Sequence, residues 1–425
     1  MLCDNPADLR LPPMLKIRQL FEVPPAIDPA EALEREFAAL KGGLRLAPGA
    51  RVAVGVGSRG ISGLAQVVRQ VVQGLRSLGA EPFIIPAMGS HGGATAQGQI
   101  EVLGHRGITE ESCGAPIEAT MEVVSLGETD CGIPLYISRL AHEADGLVLI
   151  NRVKPHTNFI GPTESGLLKM MSIGLGNQAG AEYYHRLSLV RPQYEILSTA
   201  GREAMARSRF LFGVALVENQ HHQLCRLRLA GPENLEAVET ELLTLARSLL
   251  PRLPMERVDL LIVEEMGKEI SGMGIDPNVV GRDVAAYGAK RESPKIARIH
   301  VRRLSEHTAG SAVGIGQADS TLRSLVEAID QPATIINCLT ACTPEAGMIP
   351  LTYDTDLDAV AAALMTIRPY TARDLGIVYI KNTMELETIY ASEAYRDSLA
   401  RNPRVEIAAR PWSLEFDQGL LVSPF

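Results

Sequence analysis

Short apolar runs alternate along the chain with longer segments whose apolar residues recur every three or four positions. "RVAVGVGSRG" predicts a buried strand that ends in a glycine turn. "ISGLAQVVRQVVQGLRSLGA" follows at helical spacing, with Gly79 placed to end the helix. "EPFIIPAMGSHGG" and "GLVLINRVKPH" repeat the plan of an apolar run followed by a polar loop. Strands that alternate with helices predict an α/β protein with mainly parallel sheets covered on both faces.

The same alternation resumes after a break. "GPENLEAVETELLTLARSLLPRLPMERV" predicts a long helix stopped by prolines, which marks a boundary near residue 255. Beyond it, "VDLLIVEE", "KIARIHVRRL", "ATIINCL" and "LGIVYIKN" predict strands. "DLDAVAAALMTI" predicts a helix capped by Asp356. Two α/β domains result, residues 1–255 and 256–425, with the active site expected in the cleft between them. The stretch "VEIAARPWSLEF" and the tail after about residue 400 are open to either domain, including packing back on the first.

Composition narrows the function. The chain has 425 residues, 46% apolar and 21% charged, enough for two cores. A net charge of −9 and 4% aromatics argue against nucleic acid as a partner. Acidic residues and prolines interrupt the N-terminus where a signal peptide needs an apolar stretch, and no apolar run is long enough for a bilayer. A cytoplasmic location without a membrane partner is expected. The six cysteines are scattered and match no zinc or disulfide framework. "NCLTAC" reads as the end of a buried strand.

In parallel α/β sheets, ligands lie beyond the carboxyl ends of the strands. Three predicted strand ends carry functional side chains: Arg59, His91 and His156. Arg59 suits a carboxylate or phosphate clamp, or a surface ion pair. His91 sits between glycines in "GSHGGAT", open to a ligand or bonded within a turn. Lys169 lies in the apolar stretch "SGLLKMMSIG", where desolvation favours a neutral nucleophilic amine; a snorkelling helix lysine is the alternative. His185, in "AEYYHR", has no neighbouring partner to complete a metal site, so a metal there would need donors from outside the protein. Lys268 opens the glycine-rich "GKEISGMGIDPNVVGR", with Asp276, Asn278 and Arg282 following. The loop "HTAGSAVGIGQAD" has no assignable role.

The ordered set Arg59, His91, "KPH" ending at His156, Lys169 and His185 resembles the lactate racemase family, over about residues 50 to 190. The resemblance implies a nickel-pincer nucleotide, a pyridinium-3-thioamide-5-thiocarboxylic acid mononucleotide carrying nickel. By this likeness Lys169 is the covalent tether and His185 the nickel ligand, and Ser58 and Arg59 lie among the cofactor contacts. His91 and His156 become the acid/base pair on opposite faces of a 2-hydroxy acid. Arg59 and Lys268 hold the carboxylate and polarise the oxygen. The implied activity is racemisation or epimerisation, an isomerase reaction in which hydride leaves and returns.

The likeness also implies partner enzymes that make the cofactor. The chain departs from the family at Gly57-Ser58-Arg59, where an acidic residue is usual, and at "TESGLLK". These departures, with Asp276, Asn278 and Arg282, point to a larger or more oxygenated acid than lactate. The rival expectations are a dehydrogenase or lyase using a free nucleotide, and a non-catalytic binder of an organic acid or nucleotide.

Overall fold

The computed structural model describes residues 9–40, 44, 46–58, 60–285 and 287–425. It divides into two compact units. One is Val23–Leu250; the other joins Met1–Glu22 to Pro251–Phe425. The domain limits read from the sequence assign the N-terminal residues differently. The first strand, β1 (Met14–Gln19), alternates buried and exposed positions and lies in the sheet of the second unit.

The first unit is built on β2 (Arg51–Val56), β3 (Glu81–Pro86), β6 (Gly146–Arg152), β7 (Phe210–Glu218) and β8 (Leu224–Ala230), after a two-stranded side ribbon of β4 (Val123–Glu128) and β5 (Pro134–Ser138). The sheet order is β3-β2-β6-β7-β8, parallel except for the β7–β8 pair. Central strands are buried on both sides, which is why they read as continuous apolar runs. On one face the helix Leu64–Ser77 buries Leu64, Val67, Val68, Val71, Val72 and Leu75, a stripe at helical spacing. The helix Leu235–Leu249 contributes Leu235, Val238, Leu242 and Leu243 to the core of the other face.

The second unit carries β9 (Arg257–Met266), β10 (Lys295–Leu304), β11 (Ser320–Leu322), β12 (Leu351–Tyr353), β13 (Ile377–Ile380), β14 (Thr388–Ser392) and β15 (Val405–Trp412). With β1 they form an eight-stranded sheet in the order β12-β11-β10-β9-β13-β14-β1-β15. Its β9 to β13 portion is parallel; β14, β1 and β15 pair antiparallel. The C-terminal stretch "VEIAARPW" therefore belongs to this unit, because β15 pairs with β1.

Two local expectations fail for physical reasons. "ATIINCL" is a helix, Gln331–Thr340, not a strand. Asp330 caps it by accepting from the Ala333 amide, and proline stands in its first turn. Cys338 is thus on a helix, and Ile335, Ile336 and Leu339 face solvent. In "DLDAVAAALMTI" the cap is Thr355, whose side chain accepts from the Asp358 amide. Asp356 is freed for a buried network. It takes hydrogen bonds from Arg302 and from the Leu421 amide, and its Oδ1 lies 2.9 Å from His300 Nε2. Among the described residues no helix is long and apolar enough to cross a membrane.

Candidate functional site

In the first unit, three loops leave the carboxyl ends of adjacent parallel strands. Ser58 follows β2, and His91 follows β3; His91 Nδ1 lies 2.5 Å from Ser58 Oγ. Arg59 lies outside the described residues. The third loop, after β6, is closed at its neck by a two-way backbone pairing of Lys154 with Ser165. Within it Glu164 is buried and organises the turn. Its Oε2 accepts from the His156 amide at 2.5 Å, its Oε1 accepts from the Gly161 amide at 3.2 Å, and it pairs with Arg247. Phe159 stacks on the His156 ring with centroids 4.2 Å apart. The imidazole is therefore fixed in position and largely removed from water.

His156 faces the next element. A helical turn, Leu167–Lys169, passes directly into a π-helix, Met170–Gly174. Such wide turns are uncommon and recur at functional sites. Lys169 stands at the junction, with Nζ 2.8 Å from His156 Nε2. The turn is capped from outside: Glu239, reaching from the helix Leu235–Leu249, accepts from the amides of Leu167 and Leu168. Gly166 makes room for it, since a Cβ at that position would overlap Glu239 Oε1. Burial lifts the Glu239 carboxyl from its ordinary range to about 7, against the two amide bonds, which pull it down. Asn151 Nδ2, near the end of β6, donates to the Gly166 carbonyl at 2.6 Å and ties the strand to the same turn.

The His91 loop meets this turn as well. The Gly89 amide donates to the Gly174 carbonyl at 3.1 Å, and Gln99, fully buried, donates to the Gly89 carbonyl. Gly89 has a positive φ and packs against Ile173, so glycine is required there for both backbone and space. The next helix, Asn177–Leu187, carries His185 in its last turn. Gln193 Nε2 lies 3.4 Å from His185 Nδ1. A helix C-terminus favours a charged imidazole. Burial works the other way and is the larger influence, with the positive charge of Lys169, when protonated, second; the pKa falls to about 4. His185 is thus a neutral imidazole at physiological pH, the form that ligates metals.

The structure therefore brings His156, Lys169 and His185 into one electrostatic neighbourhood and joins the His91 loop to it by backbone bonds. Sequence reading missed Glu164, Arg247, Glu239 and Asn151. The signal for Glu239 was faint: a carboxylate on the buried face of an amphipathic helix.

The second unit's predicted residues have internal partners. Lys268 Nζ donates to Asn337 Oδ1 at 2.8 Å. Asp276 caps the short helix Pro277–Val280 and accepts from both the amide and the side chain of Asn278. Arg282 pairs with Asp319 at 2.7 Å and donates to three carbonyls. These groups hold the glycine-rich loops together. At the carboxyl ends of β9, β10 and β13 lies a cavity of about 470 Å³ lined by Glu269, Arg303, Glu306, His307 and Lys381 among others; Lys268 does not line it.

Among the described residues no three His, Cys, Asp or Glu side chains cluster as a metal site. His185 would be a single protein donor, suited to a group that brings its own.

This is an α/β domain with His91 and His156 on loops at the carboxyl ends of its strands and Lys169 and His185 on the helical segments that follow. Residues 48–196 match the family model of the lactate racemase N-terminal domain, about a third of the chain. The likeness is to that N-terminal domain and lies within the first unit. Among solved structures, it is similar to the lactate racemase apoprotein from Thermoanaerobacterium thermosaccharolyticum at 13% identity and a TM-score of 0.44, over 75% of this chain and 70% of that one. No curated protein matches it.

Proposed function

We propose that the protein is an isomerase, a racemase or epimerase of a 2-hydroxy acid other than lactate, that works with a nickel-pincer nucleotide tethered at Lys169. The observation that carries the proposal is the grouping of Lys169, His156 and neutral His185 within the region that matches the family model. The donor set fits the group. Lys169 offers an amine for a covalent bond, and His185 offers one uncharged imidazole as the protein's ligand to nickel. When bound, the group supplies a hydride acceptor and donor.

The remaining work falls to the chain. His91, held by Ser58, and His156, held by Glu164 and Phe159, take and return the hydroxyl proton of the substrate. Arg59 enters as a partner for the substrate carboxylate, by resemblance. Enzymes that build the cofactor are the required partners.

The test is coexpression with those enzymes. Intact-protein mass should show an adduct mapped to Lys169, with about one nickel per chain. The α-hydrogen of a panel of 2-hydroxy acids should exchange or invert in deuterated water. An unmodified, nickel-free protein after coexpression would refute the assignment.

A further inference from the structure

The Asn158 backbone amide can only donate, and it donates to His156 Nδ1 at 3.0 Å. A neutral imidazole that accepts at Nδ1 carries its proton on Nε2. Nε2 is the atom 2.8 Å from Lys169 Nζ. An ammonium has three donors and no acceptor. Set against Nε2–H, it would oppose donor to donor. The reverse arrangement, an ammonium donating into Nε2, puts the imidazole proton on Nδ1 and opposes it to the Asn158 amide. An imidazolium creates that same conflict at Nδ1. The Asn158 and Lys169 bonds close together only when Nε2–H donates and the lysine nitrogen accepts.

We infer that Lys169 is held as an uncharged amine by His156, whose tautomer is set by the Asn158 amide, so that the lysine is a nucleophile ready for an acyl-type electrophile before any cofactor is present. The inference deepens the tethering role proposed above. It makes His156 a positioning residue for Lys169, in addition to its part in proton transfer.

The surroundings agree. His185, electrically coupled to Lys169, is neutral chiefly through burial, so it stays neutral when the lysine carries no charge. Glu164 and Arg247 form a pair behind the His156 loop. Glu239 is engaged with the amides of Leu167 and Leu168. Phe159 holds the plane of the imidazole, and a flip within that plane would give up the bonds of Nδ1 to the Asn158 amide and of Nε2 to Lys169.

The reaction needs no oxidant. With p-nitrophenyl acetate as probe, the Nζ lone pair attacks the carbonyl carbon and a C–N bond forms. The C–O bond to p-nitrophenolate breaks, and one Nζ proton passes to water. At pH 7 an ordinary lysine, with pKa about 10.4, is neutral in about one molecule in 2,500. Its acylation rate therefore climbs about tenfold per pH unit.

The experiment uses cofactor-free full-length protein, labelled at pH 7, 8 and 9 and mapped by peptide mass spectrometry. Lys169 should acetylate at least tenfold faster than the other lysines at pH 7 and change less than about twofold up to pH 9. His156→Gln, checked for folding by circular dichroism, should lose this advantage and regain the climb with pH. Imidazole ¹⁵N–¹H correlation spectra of the wild type should show His156 as the Nε2–H tautomer. A Lys169 that labels no faster than the rest and climbs with pH, or a proton on Nδ1, would overturn the inference. If His156→Gln does not fold, the two wild-type measurements decide. Because no cofactor is involved, failure here leaves the coexpression test standing, and failure there leaves this one.

Discussion

The buried carboxylate that caps the Lys169 turn offers a measurable pH effect. Glu239 is about 1% exposed, and its carboxyl is lifted from 4.5 to about 7, first by burial. The folded protein thus binds this proton more tightly than the unfolded chain. Stability from the group is full below about 4.5 and is lost as pH rises through 7. A shift of that size is worth on the order of 3 kcal/mol, at about 1.36 kcal/mol per unit. Glu239→Gln keeps one carbonyl acceptor for the amides of Leu167 and Leu168 but cannot titrate. The penalty of this substitution should therefore be greatest near pH 5 and shrink by about 3 kcal/mol by pH 8, roughly a hundredfold in the opening equilibrium. Hydrogen exchange of those two amides, corrected for intrinsic rate, reads it directly. Using the wild-type-minus-variant difference matters, because His185 titrates in the same window with the opposite sign. A penalty that stays constant from pH 5 to 8, or grows, would refute the reasoning.

Two further outcomes follow from packing. Gly166→Ala should push the Glu239 carboxylate off both amides, costing about 1–3 kcal/mol per buried group left unpaired; calorimetry should show a lower melting temperature, and exchange at Leu167 and Leu168 should speed up. In the second unit, Asp356→Ala would leave Arg302 and His300 without their buried partner. A loss of about 3–5 kcal/mol is expected in urea unfolding followed by the fluorescence of the single tryptophan, Trp412. The wild-type network should itself weaken in acid. Burial alone would raise the Asp356 carboxyl, but the bonds from His300 and Arg302 overcome it and hold the pKa below the ordinary range, so its contribution disappears as pH falls through that depressed value.

The parallel core of the first unit was legible because strands buried on both faces leave uninterrupted apolar runs, and "VAVGV" and "LVLIN" are such runs. The strand-end loops carrying Ser58, His91 and His156 followed from that topology. What escaped was whatever depends on partners distant in sequence. β1 and β14 are short and find each other across the length of the chain. "ATIINCL" reads as a strand because its isoleucines suggest burial, whereas the Asp330 cap and the proline make it a helix with those isoleucines outward. At the site, Lys169 and His156 were visible as candidates, but their 2.8 Å contact depends on the Lys154–Ser165 closure and on the Glu164 and Glu239 carboxylates. Both carboxylates read locally as ordinary helix or loop charges.

Strand β1 is enclosed between β14 and β15, with Met14 opposite Ser392 and Trp412. During synthesis, β1 must wait until β14 and β15 have emerged before its edges are satisfied. Residues 23–250 can condense in the interval, since they form a compact unit of their own. Completion of the larger sheet is therefore a late, long-range event. A nascent chain stalled before residue 388 would leave an apolar strand without neighbours, a natural target for chaperones and proteases.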